Sequence, residues 1–168
     1  VEGDPATHYP IMWKFLCDEL KIKSVVDIGC GFGYSLDFFK KHLKLHGIGV
    51  EGSPKVQELA LNRDAIKVHD YSKGPLTFPK NYDLAWSSEF VEHVSPQYVE
   101  NFISTFKCCK YIAITYASVG QTGHHHVNEN TENYWINLMM THGLIFDRDL
   151  TVQLRSKTEE DFSRPTSP

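Results

Sequence analysis

The 168-residue sequence predicts an α/β domain built on a doubly wound, mostly parallel sheet. Three observations carry that prediction. Short β-branched runs alternate with amphipathic segments of helical period along most of the chain. The first run passes into the helix after it through a glycine-rich turn, "DIGCGFGYS" (27–35). Acidic residues then close the predicted strands, on the rim where open α/β sheets bind their ligands.

The elements follow in order. Residues 9–21 space Ile11, Phe15, Leu16 and Leu20 along one helix face. "SVVDIG" (24–29) is a buried strand, "YSLDFFKKHL" (34–43) an amphipathic helix and "HGIGVEG" (46–52) a second strand. "SPKVQELALN" (53–62) opens with an N-cap Ser and a first-turn Pro, so it is a helix. A third strand covers 65–70 and, after a Gly/Pro loop through Lys80, a fourth covers 82–89. "SPQYVENFISTF" (95–106) repeats the Ser-Pro helix start, and "KYIAITYA" (110–117) alternates as a fifth strand. A loop leads to a helix at 131–142 and a further strand at 144–148, with 150–156 readable as strand or short helix. The last ten residues are polar and contain Pro165 and Pro168, which predicts a frayed tail. The expectation is one domain over 1–156 and a tail over 157–168. Val1 in place of Met suggests a domain cut from a longer polypeptide with neighbouring domains.

An apolar fraction of 41% and a charged fraction of 23% are those of an ordinary globular protein. No apolar run approaches the ~18 residues of a membrane span, and no charged leader precedes an apolar stretch. Cys17, Cys30, Cys108 and Cys109 form no C-x-x-C pair, which fits a reducing, cytoplasmic setting. The net charge of −4 argues against a general nucleic-acid binder.

Gly29, Gly31 and Gly33 let the backbone turn sharply and approach a ligand closely. A dinucleotide fingerprint needs Gly or Ala at position 34, where this chain has Tyr34. Asp27 precedes the glycines, and the resulting D-x-G-x-G-x-G resembles motif I of class I S-adenosylmethionine-dependent methyltransferases. That resemblance spans residues 8 to 148 and implies a Rossmann-like methyltransferase fold lacking part of its C-terminal hairpin. It also implies that Glu51 accepts the ribose hydroxyls and Asp70 the adenine amino group. Gly52, Tyr71 and Ser87 are taken with Asp27, Glu51 and Asp70 as cofactor-binding residues. Capping of the following segments is the competing role for the two acids.

The stretch "SSEFVEHV" (87–94) closes the fourth strand. If a helix begins there, Glu89, Glu92 and His93 share one face at i, i+3 and i+4. Two carboxylates and an imidazole facing together suit Mg²⁺ or Mn²⁺, and Zn²⁺ less well. This E-x-x-E-H arrangement resembles the metal motif of the plant small-RNA 2′-O-methyltransferases and of the O-methyltransferases of ubiquinone biosynthesis. In the first group a histidine after strand five completes the site. Here "GHHHVN" (123–128) supplies His124, His125 and His126. In extended backbone either His125 ligates alone or His124 and His126 share that side. The assignment adopted has His125 as ligand and His124 and His126 as catalytic bases. A histidine of ordinary pKa takes a proton from a hydroxyl, which points to O-methylation.

Trp86, Tyr116, Tyr134 and Trp135 are expected near the predicted mouth, although core packing is the ordinary role of each. The "GHHHVN…YWI" ending is loosely similar to small methyltransferases of sugar-modification and viral glycan pathways. A sugar or glycan hydroxyl is therefore the expected acceptor. RNA 2′-O-methylation and a non-catalytic cofactor-binding subunit are the alternatives.

Overall fold

The computed structural model describes residues 7–163. Its centre is a five-stranded parallel sheet in the order β3-β2-β1-β4-β5, with β1 Ser24–Ile28, β2 His46–Glu51, β3 Ile66–Val68, β4 Tyr82–Ser87 and β5 Cys109–Ile114. β1 sits in the middle, with Val26 opposite Ile48 on one side and Ala85 on the other. Val25, Val26 and Ile28 are fully buried, as expected for a parallel strand covered on both faces. The chain reverses its winding between β1 and β4, which opens a crevice at the carboxyl ends of those strands.

The helices are α1 Pro10–Leu20, α2 Tyr34–Lys41, a single turn α3 Val56–Leu59, α4 Val99–Phe106, α5 Glu132–Thr141 and α6 Arg148–Ser163. On one side of the sheet Trp13, Leu16, Phe39, Leu84 and Trp86 form a core. Val26, Val50, Val91, Phe102, Ile103, Phe106 and Trp135 form the other. At the start of β1, Asp83 accepts from the Lys23 and Ser24 amides and the Ser24 hydroxyl at 2.8–3.0 Å, fixing β1 against β4. No helix among the described residues is long and apolar enough to cross a membrane.

Two expectations fail at the C-terminal end. Residues 144–148 form no strand, and among the described residues no strand follows β5. The segment is apolar enough, but it is consumed by the helices on either side. The Leu144 amide bonds back to the Met139 carbonyl, and Asp147 caps α6 through the Leu150 amide. Ile145 is left 95% exposed. The stretch 150–156 is helix, and α6 continues through 157–163, where a frayed tail was expected. Asp161 is the reason. Its two carboxylate oxygens accept from the Ile11 and Met12 amides at 2.9 and 3.0 Å, capping α1 across the structure. Pro165 and Pro168 lie outside the described residues. The helix expected over 53–62 shrinks to α3, ending where Ala60 turns extended.

Asp27 is the buried acid of the central strand, 2% exposed. Burial pushes its carboxyl up to about 7, against hydrogen bonds from Ser35 Oγ and the Leu36 amide that favour the charged form. The native state therefore holds a proton that the unfolded chain releases near pH 4. Stability contributed below that pH is lost as pH rises toward 7, by as much as ~4 kcal/mol. Asp27→Asn removes this dependence. Its thermal midpoint is expected to fall less than that of the wild type between pH 5 and pH 8 in parallel unfolding scans. Equal slopes would show that Asp27 stays charged.

Candidate active site

The crevice at the carboxyl ends of the strands is a cleft of ~1020 Å³. The loop after β1 forms its floor. Gly29 has φ +72°, and a Cβ there would lie 2.5 Å from Phe90 Cδ2. Gly33, at φ +81°, would press a Cβ to 2.9 Å from the Leu61 carbonyl oxygen. Neither position admits a side chain without moving its neighbour. Gly31, at φ +51°, completes the turn.

Glu51 ends β2 and braces this loop. Oε2 accepts from the Gly31 amide and Oε1 from the Ser53 amide, both at 3.0 Å. Each oxygen keeps lone-pair capacity toward the cleft, so bracing and ligand binding are compatible. Gly52 lines the wall beside it. Asp27 reaches the cleft wall, but its carboxylate is bound to Ser35 Oγ at 2.5 Å and so anchors the start of α2. Asp70 is exposed on the same wall, next to Gly52, where Oδ1 caps the following turn through the Ser72 amide. Tyr71 lines the cleft by its ring, while its hydroxyl is tied to Thr105 in the core at 2.8 Å. Ser87 does not belong to this set. It is fully buried and donates to the Ile28 carbonyl at 2.9 Å, beneath the wall that Ser88 forms.

The acidic-histidine cluster is built differently from the expected helix face. Residues 91–93 form one 3₁₀ turn, and Glu89 stands before it at φ +50°. A non-glycine residue in that region is uncommon and gathers at functional sites. Thr115, just past β5, holds Glu89 there. Its hydroxyl accepts from the Glu89 amide and donates to Glu89 Oε1, both at 2.9 Å. Glu92 is fully buried, and neither of its carboxylate oxygens has a hydrogen-bond partner. Burial pushes its carboxyl up to about 7, opposed by the polarity of its own nearby backbone amide and by His126 and helped by the neighbouring Glu89 carboxylate.

The histidine loop is stapled to this turn by its backbone. The Glu92 carbonyl accepts from the Val127 and Asn128 amides at 2.9 and 3.0 Å, and Asn128 is itself buried. His125 adopts φ +57°, which breaks the alternation expected of extended backbone and reassigns the imidazoles. Glu92, His93 and His126 present ligand-type atoms within 4.8 Å of one another. Glu89 lies beside this group and not in it. His125, the expected ligand, instead packs its ring 4.0 Å from that of His124, and both line the cleft. His126, expected as a base, sits behind the wall.

The two clustered histidines have their Nδ1 atoms committed. His93 Nδ1 donates to the His125 carbonyl at 3.2 Å. His126 Nδ1 is 3.0 Å from the Gln121 carbonyl and 3.2 Å from Glu129 Oε1. Each bond selects the tautomer that leaves Nε2 with a lone pair. Burial lowers the His93 pKa. For His126 burial acts downward too, but the Gln121 carbonyl and Glu129 outweigh it and the pKa rises. Gly123 makes room for His126, whose ring would lie 2.2 Å from a Cβ at that position.

Thr115, Gly123 and Glu129 escaped the sequence reading. No spacing marks them, since each acts across a loop contact. Of the aromatic residues expected at the mouth, Trp86 lines the cleft. Trp135 is buried against Tyr116 and Tyr134 in the core behind β5. Among the described residues no Lys or Arg lines the cleft, whereas Asp27, Glu51, Asp70 and Glu89 do.

No curated protein matches the chain by sequence. Solved structures match it by fold. The plantazolicin methyltransferase BpumL, in complex with S-adenosylhomocysteine and a desmethyl substrate analogue, aligns with a TM-score of 0.62 at 14% identity, covering 95% of this chain and 79% of that one. The methyltransferase domain of a bacterial Hen1 aligns at 0.58 and 19%, covering 77% and 80%. The sugar N-methyltransferase KedS8 from Streptoalloteichus aligns at 0.54 and 14%, covering 74% and 61%. A family model described as a methyltransferase domain matches residues 14–156, and the chain, with its parallel sheet and glycine-floored cleft, belongs to that family.

Proposed function

We propose that this chain is an S-adenosylmethionine-dependent O-methyltransferase acting on a neutral hydroxyl, that of a sugar or glycan. A divalent cation, Mg²⁺ or Mn²⁺, would be held by Glu92, His93 and His126 with Glu89 beside them. The observation that carries the metal is Glu92, a buried carboxylate with both oxygens unpartnered, facing two imidazoles whose Nε2 lone pairs are uncommitted. Burying such an acid is expensive unless a positive charge or a proton meets it.

The donor supplies an electrophilic methyl group on a sulfonium. The protein's part is to hold the acceptor oxygen in line with it at ~3–3.5 Å. The glycine loop would admit the ligand close to backbone, Glu51 would accept its ribose hydroxyls, and Asp70, next to Gly52 on the same wall, would accept from its amino group. A cation in the Glu92 cluster would lower the pKa of a hydroxyl bound to it. His124 and His125, on the cleft wall, are placed to receive the hydroxyl proton.

The acceptor class follows from charge. Phosphate-rich acceptors call for Lys or Arg at the site, and this cleft has acids and histidines. That favours a neutral sugar over RNA, the alternative suggested by the E-x-x-E-H motif.

Three outcomes are expected. EDTA-treated protein should lose turnover on a panel of tritium-labelled sugar, phenol and RNA reactions and regain it with Mn²⁺. Glu92→Gln should cost at least ~100-fold in rate while leaving S-adenosylhomocysteine affinity within about twofold, as loss of a metal-holding carboxylate acts on chemistry and not on cofactor binding. Full activity in EDTA would remove the metal. Glu51→Ala should weaken S-adenosylhomocysteine ~10–100-fold in calorimetry, the loss of one or two charge-assisted hydrogen bonds. An unchanged affinity would confine Glu51 to bracing the loop.

A further inference from the structure

We propose that Thr115 is a positioning residue that aims the Glu89 carboxylate at the Glu92 cluster, an inference that rests on the metal reading above. Its hydroxyl is used to capacity. It donates its one hydrogen to Glu89 Oε1 and accepts from the Glu89 amide at 2.9 Å and from Ser88 Oγ at 3.2 Å. The first bond occupies Oε1 and so fixes the carboxylate of a residue whose charge reaches Glu92. The second satisfies an amide that the left-handed turn at Glu89, φ +50°, withdraws from the sheet. Without these two bonds the strained conformation loses its support, and an ordinary turn would swing the carboxylate off its line.

The geometry separates this role from a structural one. Thr115 holds β5 to β4 through its own amide, which donates to the Ser87 carbonyl at 3.0 Å. Thr115→Val keeps that backbone bond and the side-chain shape, and removes the hydroxyl alone. Thr115→Ser keeps the hydroxyl.

The experiment titrates Mn²⁺ into wild type, Thr115→Val, Thr115→Ser, Glu89→Gln and the Thr115→Val/Glu89→Gln double variant. Free Mn²⁺ is followed by electron paramagnetic resonance, and S-adenosylhomocysteine affinity and thermal midpoint are measured in parallel. Thr115→Val should weaken Mn²⁺ ~10–100-fold, the range for residues that orient metal ligands. Thr115→Ser should restore most of it, and S-adenosylhomocysteine affinity should not move. In the Glu89→Gln background Thr115→Val should add nothing, because the two act as one unit. Wild type and Thr115→Val binding Mn²⁺ equally would overturn the positioning role while leaving the metal site. Equal losses of Mn²⁺ and S-adenosylhomocysteine affinity would overturn it as general loosening. A wild type that binds no Mn²⁺ would remove the metal reading and this role with it.

Discussion

The parallel pairing of β1 between β2 and β4 is the constraint on which the chemistry of this chain depends. Because all five strands run the same way, every strand delivers its last residue to one rim. Gly29, Glu51, Asp70 and Glu89 are separated by about twenty residues from one to the next and still meet there. The reversal of winding beside β1 keeps that rim open, since no helix crosses it. Loss of the β1 register would disperse the site even with every side chain intact. That is why Asp83 clamping Lys23 and Ser24, at the opposite end of the sheet, bears on function.

Two buried acids sit near this rim, and the protein treats them differently. Asp27 meets a hydroxyl and an amide, so its burial is offset in part within the fold and it anchors the start of α2. Glu92 meets neither, although its backbone carbonyl is doubly used. A buried carboxylate left bare while its own main chain is satisfied is the observation on which the proposed cation rests. The same division appears in the loops. Glycines give the cleft floor its shape, whereas Glu89 and His125 adopt left-handed backbone at the cost of local strain, on the cleft wall.

The fold was legible because its signals are local and redundant. β-branched runs, Ser-Pro helix starts and the glycine turn each identify an element without knowledge of the others. The C-terminal end was not. "LIFDR" has the composition of a strand, but its capping duties to α5 and α6 depend on where those helices pack. α6 in turn depends on Asp161 reaching α1, some 150 residues away in sequence. At the site, Glu92 and His93 were legible from spacing. The choice among three consecutive histidines was not, because alternation holds only for extended backbone and His125 is left-handed. Thr115 and Glu129 carry no motif at all. Their importance lies in which atoms they face.

A proton is the obvious rival to a cation at Glu92, and the two can be weighed. A neutral Glu92 could donate to the Glu89 carboxylate, which would satisfy one acid with the other. A protonated His126 could instead donate from Nε2 toward Glu92 and offset its charge. Either device answers the carboxylate and neither answers His93. Burial lowers the pKa of His93 and disfavours its cationic form, so with Nδ1 on a carbonyl its Nε2 keeps a lone pair. Its Nδ1 is fixed on a backbone carbonyl, an arrangement common among metal-bound imidazoles because it sets tautomer and ring angle together. Glu92, His93 and His126 thus bring ligand-type atoms within 4.8 Å of one another, with Glu89 beside them and both Nδ1 atoms committed elsewhere. A proton can satisfy one of those lone pairs at a time; the proposed divalent cation would satisfy several at once, with His93 and His126 already oriented by the His125 carbonyl, Gln121 and Glu129.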